Sequence, residues 1–137
     1  MNSGILDPIM RTDDHFIQKH KSFLDMIKKQ TFDVLFLGDS ITRRWEDNID
    51  LWNTYFKKYN ACNFGVGQDC LQNVKWRILN GELDGINPKL AIILIGTNNL
   101  DKNSNSEIVI SIKDIVSITK KKLPNTKIVL LGIFPRC

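Results

Sequence analysis

The sequence predicts an α/β fold: a parallel β-sheet held between two layers of helices. Three observations carry that expectation. Four short apolar runs of strand length recur along 137 residues. Segments with helical periodicity separate them, which is the alternation that parallel sheets require. The first three runs end in turns of glycine and polar residues, at what would be the carboxyl edge of such a sheet. At this length the chain forms one domain, residues 1–137.

Taken in order, residues 13–29 read as a helix with Phe16, His20, Phe23, Leu24 and Ile27 on one face. His20 is expected to pack there rather than to catalyse, and His15 to be exposed. Residues 34–37, Val-Leu-Phe-Leu, form the first strand and break at Gly38. Residues 43–59 are rich in aromatics, including Trp45 and Trp52, and read as a helix or irregular helical stretch over the sheet. Residues 60–64 are a short second strand running into Gly65-Val66-Gly67-Gln68-Asp69. The next helix starts near Asp69, with Gln72 as capping-box partner and Leu71, Val74, Ile78 and Leu79 buried. Asn80-Gly81 ends it. Residues 90–95 are apolar throughout, as a central strand should be, and stop at Gly96-Thr97-Asn98-Asn99. Ser104 and Glu107 make a capping box for a helix buried through Ile108, Ile112, Ile115 and Val116. Residues 127–134 form the fourth strand, closing at Pro135-Arg136-Cys137.

Composition narrows the function classes. The net charge is +4 and the lysines are scattered, apart from Lys120-Lys121-Lys122 where a helix should end and its dipole favours cations. A nucleic-acid partner is therefore not expected. No apolar run reaches the roughly 20 residues of a membrane span. Residues 1–11 lack a secretory signal pattern. Three cysteines, Cys62, Cys70 and Cys137, show no C-x-x-C spacing, which points to a reduced, cytoplasmic setting without structural zinc.

A strand, a tight glycine turn, a serine and a helix start can present Ser40 as a nucleophile beside free N–H groups. The same pattern also fits a turn in which Ser40 merely caps the helix. The neighbouring loops weigh on the choice. Right-handed crossovers bring Gly38-Asp39-Ser40, Gly65-Val66-Gly67-Gln68 and Gly96-Thr97-Asn98-Asn99 to one sheet edge. A hydroxyl, backbone N–H groups and a side-chain amide meeting at one carbonyl are the parts of an oxyanion hole. A dinucleotide site is disfavoured because Cys70 stands where the third glycine would be. Neither a P-loop nor the G-x-S-x-G elbow is present. Cys70 reads as a small packed residue rather than a second nucleophile. Trp45, Trp52 and Trp76 read as packing.

In these blocks the sequence resembles the SGNH (GDSL-type) hydrolases: residues 38–41 the first block, 65–69 the second and 96–99 the third. Asn63-Phe64-Gly65-Val66-Gly67, Val74-Lys75-Trp76-Arg77, Asn80-Gly81-Glu82-Leu83 and Leu131-Gly132-Ile133-Phe134-Pro135-Arg136 extend the resemblance. They fall in the order seen in the subgroup of platelet-activating-factor acetylhydrolase catalytic subunits and bacterial carbohydrate esterases. The resemblance implies a flavodoxin-like α/β/α sandwich and hydrolysis of a small acyl ester, an acetyl ester of a carbohydrate or lipid. It implies Ser40 as nucleophile, with Ser40 N–H, Gly67 and Asn98 in the oxyanion hole, Asp39 supporting the loop, and no metal or organic cofactor.

Two departures follow from the comparison with that family pattern. The subgroup places a glycine directly before the aspartate matched by Asp69, and here Gln68 stands there. If the loop needs a positive φ at that position, glutamine is strained where glycine is not. The family's Asp-x-x-His base block does not occur in these 137 residues, and neither His15 nor His20 has an aspartate three residues earlier. The expectation is therefore an esterase domain incomplete at its carboxyl end, weakly active or inactive alone. The alternatives are a block supplied by another chain and a non-catalytic binding remnant. An open sheet edge would favour self-association as a homodimer.

Overall fold

The computed structural model describes residues 4–136; residues 1–3 and Cys137 lie outside them. Four parallel strands form the sheet: β1 (Val34–Gly38), β2 (Ala61–Gly65), β3 (Leu90–Leu94) and β4 (Lys127–Leu130), in the order β2-β1-β3-β4. The chain moves outward from β1 to β2, then passes back over β1 to β3 and on to β4. The order reverses between β1 and β3, which is where such sheets bind ligands. Register makes the strands end together, with Gly38 opposite both Gly65 and Leu94.

The main core lies on one face. There Leu35, Leu37, Phe64, Ala91 and Ile93 meet α1 (Asp14–Lys29), α4 (Leu71–Arg77) and α5 (Asn105–Lys122). Asp13 caps α1 by accepting the Phe16 N–H at 3.2 Å. Phe23 of α1 stacks on Phe64 with centroids 4.3 Å apart. Ser104 and Glu107 cap α5 reciprocally, as their spacing predicts, and the three lysines fill its last turn.

The other face carries α2 (Ser40–Arg43), a 3₁₀ segment over Arg44–Asn48 and α3 (Ile49–Tyr55). The aromatic stretch is thus irregular, and its helix begins at Ser40 rather than Arg43. Trp52 and Phe56 close on Phe36 at 5.1 and 5.0 Å between centroids. These elements cover only the β2–β1 half. Beyond it Phe36, Ile92, Leu94, Val129, Leu131 and Phe134 wall an apolar groove of about 380 Å³.

Three expectations shift. The cap of α4 is Cys70, paired with Asn73, whereas the side-chain oxygen of Gln72 accepts from Asn99 at 3.0 Å. Leu79 is exposed, because the chain leaves α4 through a wide turn over Ile78–Glu82, where Asn80 and Gly81 abandon helical geometry. The fourth strand stops at Leu130: Leu131 makes one more bond to Ile93, and the following residues leave the ladder.

Candidate active site

The site begins with what the β1 turn demands. A Cβ on Gly38 would strike the Leu94 carbonyl and the Thr42 side chain, so only glycine fits between β3 and α2. Asp39 is fully buried and caps α2 by accepting the Ile41 N–H on Oδ1 at 2.9 Å. Its Oδ2 is buried with no partner among the described residues. Burial pushes its carboxyl above the usual aspartate range, the Ile41 bond works against this, and the charge of Asp69 adds to it. Ser40 follows as the first, half-buried residue of α2.

The second loop is seated against the first. Val66 N–H donates to the Gly38 carbonyl at 3.1 Å. A Cβ on Gly65 would run into the backbone of Arg43. The left-handed residue of this loop is Gln68, at φ 69°; Gly67 is not among the positive-φ residues. The substitution anticipated as a source of strain therefore sits where the strain falls. Among the described residues no acceptor takes the N–H of Ser40, Gly67 or Gln68. Arg11 holds the Gly67 carbonyl at 2.7 Å.

The third loop starts at Gly96, φ 124°, which lets the chain turn over Ile133. Asn98 then donates its side-chain amide to the Asp69 carbonyl at 2.9 Å, leaving its second amide hydrogen free of that bond. Buried Asn99 accepts from Leu71 N–H at 2.9 Å and ties the loop to α4. The structure so brings Asn98 onto the Gly67–Asp69 loop, and that loop onto the Asp39–Ser40 turn.

Arg77 was not singled out from the sequence, yet it lies beneath all of this. It is wholly buried. It donates to Asp69 at 2.8 Å, to Glu82 at 2.6 Å, and to the Phe64 and Gly38 carbonyls at 3.1 Å each. Burial lifts the Asp69 carboxyl above its ordinary range, while Arg77 and Arg11 pull it back. The available signal was a charged residue on the apolar face shared by Val74 and Ile78.

His20 is packed as expected, its edge on Trp76 at 4.9 Å and its Nδ1 on Glu82 at 2.5 Å. His15 is exposed, but its Nε2 stands 3.8 Å from where a Cβ on Gly67 would lie. Trp52 is packing, whereas half-buried Trp45 also lines the apolar groove. Cys70 is half-buried, with Lys102 Nζ 3.6 Å from its sulfur. Cys62 is buried, which pushes its thiol up to about 12.

Two concavities reach this edge. A polar cleft of about 490 Å³ is lined by Gln68, Cys70, Asn98, Lys102 and Arg136 among others. The apolar groove begins at Ile41 and Thr42, immediately after Ser40. Among the described residues no group of three or more histidine, cysteine or acidic side chains could hold a metal ion. None of their helices is long and apolar enough to cross a membrane.

Comparison with known proteins agrees with this fold. The model of the GDSL-like lipase/acylhydrolase family matches residues 36–137. The platelet-activating factor acetylhydrolase IB subunit alpha2 of Homo sapiens is 37% identical over 124 residues, 90% of this chain and 53% of that protein. The subunit beta homolog of Drosophila melanogaster is 37% identical over 129 residues, 94% of this chain and 56% of its own. The chain thus spans about half the length of the curated relatives it matches. Two solved structures share the fold. A protein from Streptococcus pneumonia, provisionally described as a platelet activating factor, superposes with TM-score 0.73 and 22% identity, covering 87% of this chain and 55% of that one. A GDSL-like lipase from Bacteroides thetaiotaomicron gives 0.64 and 18%, covering 81% and 56%.

Proposed function

The chain belongs to the GDSL-like lipase/acylhydrolase family, and from that premise we propose that it carries the nucleophile and oxyanion-binding side of a serine esterase site. The substrate class is a small acyl ester, an acetyl ester of a carbohydrate or lipid. The observation that carries the reading is the shared register of Gly38, Gly65 and Leu94, with Asn98 bonded to the second loop. It supports three converging loops with N–H groups and one amide hydrogen unclaimed.

In this reading Ser40 Oγ attacks the carbonyl carbon while its proton passes to a base. The carbonyl oxygen becomes the oxyanion and accepts from Ser40 N–H, the Asn98 amide and the 67–68 backbone. Gln68 has the left-handed conformation at the position of the subgroup's glycine, so its N–H is the favoured second-loop donor, with Gly67 beside it. Collapse of the intermediate expels the alkoxide, which takes the proton from the base, and water then releases the acyl group by the same route. Neither histidine of the sequence makes a hydrogen bond to Ser40 in the structure. The proposed base is an Asp-x-x-His block supplied from outside these 137 residues.

Hydrolysis of p-nitrophenyl acetate tests this. The chain is compared with Ser40→Ala, Asn98→Ala, His15→Gln and a form extended by a relative's Asp-x-x-His segment. The extended form should turn over ester in a Ser40-dependent way. Loss of the Asn98 donor should slow it by about 10²–10³-fold. Turnover by the unextended chain that vanishes in His15→Gln would make His15 the base and overturn the external one. Folded protein without Ser40-dependent turnover in either form would favour a binding role for the cleft.

A further inference from the structure

Acidic and basic side chains alternate along one line through the domain, Asp13, Arg11, Asp69, Arg77 and Glu82, and the line ends on the ring of His20. The successive bonds are 2.9, 2.8, 2.8, 2.6 and 2.5 Å. The line runs from the exposed start of α1 to the buried ring of His20. Two of its members touch backbone at the site: Arg11 donates to the Gly67 carbonyl, and Arg77, the central one, reaches two strand ends. One guanidinium plane donates to the carbonyl of Gly38, two residues before Ser40, and to that of Phe64, where the second loop begins. It also holds the side chain of Asp69, whose own carbonyl fixes Asn98.

We propose that Arg77 is a positioning residue for the esterase reaction, holding the nucleophile turn and the two oxyanion loops in one register. The proposal rests on the esterase reading above. Its physical basis is the fork of Arg, which offers planar donors to several fixed acceptors at once, whereas Lys is a point charge that cannot. Glu82 and Asp69 hold the fork in its plane, and His20 and Arg11 hold those two carboxylates in turn. The strand ends alone define register along the sheet; Arg77 adds a tie across it, from β1 and β2 to the third loop. A displacement of loop against loop by about 1 Å would suffice to cost on the order of 10²-fold in rate.

The test compares Arg77→Lys with the unsubstituted chain, both extended by a relative's Asp-x-x-His segment. Ile115→Val, a core change in α5 away from the loops, shows what lost stability alone does. Arg77→Ala with added guanidinium ion provides rescue where the lysine variant folds poorly. The first readout is Ser40 acylation by p-nitrophenyl acetate, with rate at saturation separated from KM. The second is amide hydrogen exchange over residues 38–43, 64–70 and 96–99. Arg77→Lys should lower the saturating rate by on the order of 10²-fold with KM little changed. Exchange should rise in all three segments together while residues 105–122 stay protected. Guanidinium should restore the rate in Arg77→Ala. A wild-type rate in Arg77→Lys, or loosening spread evenly as in Ile115→Val, overturns the positioning role while leaving the esterase intact. Absence of acylation in the extended, unsubstituted chain would instead overturn the esterase reading, and with it the positioning role assigned here.

Discussion

Gln68 and Asp39 show how single residues carry the strain of this edge. At φ 69° a side chain crowds its own carbonyl, a cost of roughly 1–2 kcal/mol that glycine avoids. Gln68→Gly should therefore raise stability, by about 1 kcal/mol once the freer unfolded chain is counted, seen as a higher urea midpoint. Asp39 acts through charge. Its carboxyl titrates higher folded than unfolded, because burial disfavours the anion and Oδ2 has no donor. The folded state then holds the proton longer, so stability is greatest below the ordinary value of 3.8 and falls as pH rises through the folded value. Asp39→Asn should melt higher than wild type at neutral pH, with the gap closing under acid. Equal melting temperatures at both pH values would show that an unseen donor meets Oδ2. The serine, the amide and the odd glutamine were legible from sequence because each sits in a short block. Arg77 was not, since its four acceptors come from three separate segments.

At the scale of elements, local chemistry was readable wherever one contact of short range decides it. Ser104 and Glu107 cap α5 across three residues, and their bonds of 3.3 and 2.9 Å were implied by spacing alone. Ser104→Ala should cost about 1 kcal/mol, measured by thermal or urea unfolding, while leaving ester hydrolysis unchanged. The start of α4 was misplaced for the complementary reason. Gln72 has the right spacing from Asp69 for a cap, but Asn99 on another loop claims it, and Asp69 is turned inward to two arginines. Leu79 fits the apolar period of α4, yet the turn after it swings Glu82 inward to reach Arg77 and leaves Leu79 outside. Periodicity assumes a continuing helix, and this one gives way to a wide turn in which Asn80 and Gly81 leave helical geometry.

For the whole molecule the consequential feature is the uneven covering of the sheet. One face is roofed by three helices, while over β3 and β4 the other leaves Val129 42%, Leu131 39% and Phe134 52% exposed. Contiguous apolar surface of this kind gathers partners or dye. The protein should enhance anilinonaphthalene sulfonate fluorescence, and Leu131→Lys should weaken that emission. The same variant should shift sedimentation toward smaller species if the face and the β4 edge drive self-association, as an exposed edge favours. Unchanged emission in Leu131→Lys would place the dye elsewhere.

The sequence by itself determined the α/β class, the four strands and the three glycine-containing loops that end at one sheet edge. Each is written in contiguous residues: apolar runs for strands, glycines where backbones approach, polar residues at the turns. Only the tertiary structure decided strand order, the seating of Asn98 on the Asp69 carbonyl, the left-handed turn at Gln68 and the grip of Arg77 on two strand ends. Those depend on groups far apart in sequence, such as Val34 and Leu90 paired across β1 and β3, or Arg77 and Gly38. No local preference encodes them; they exist because close packing leaves each buried donor and carboxylate one set of partners within reach.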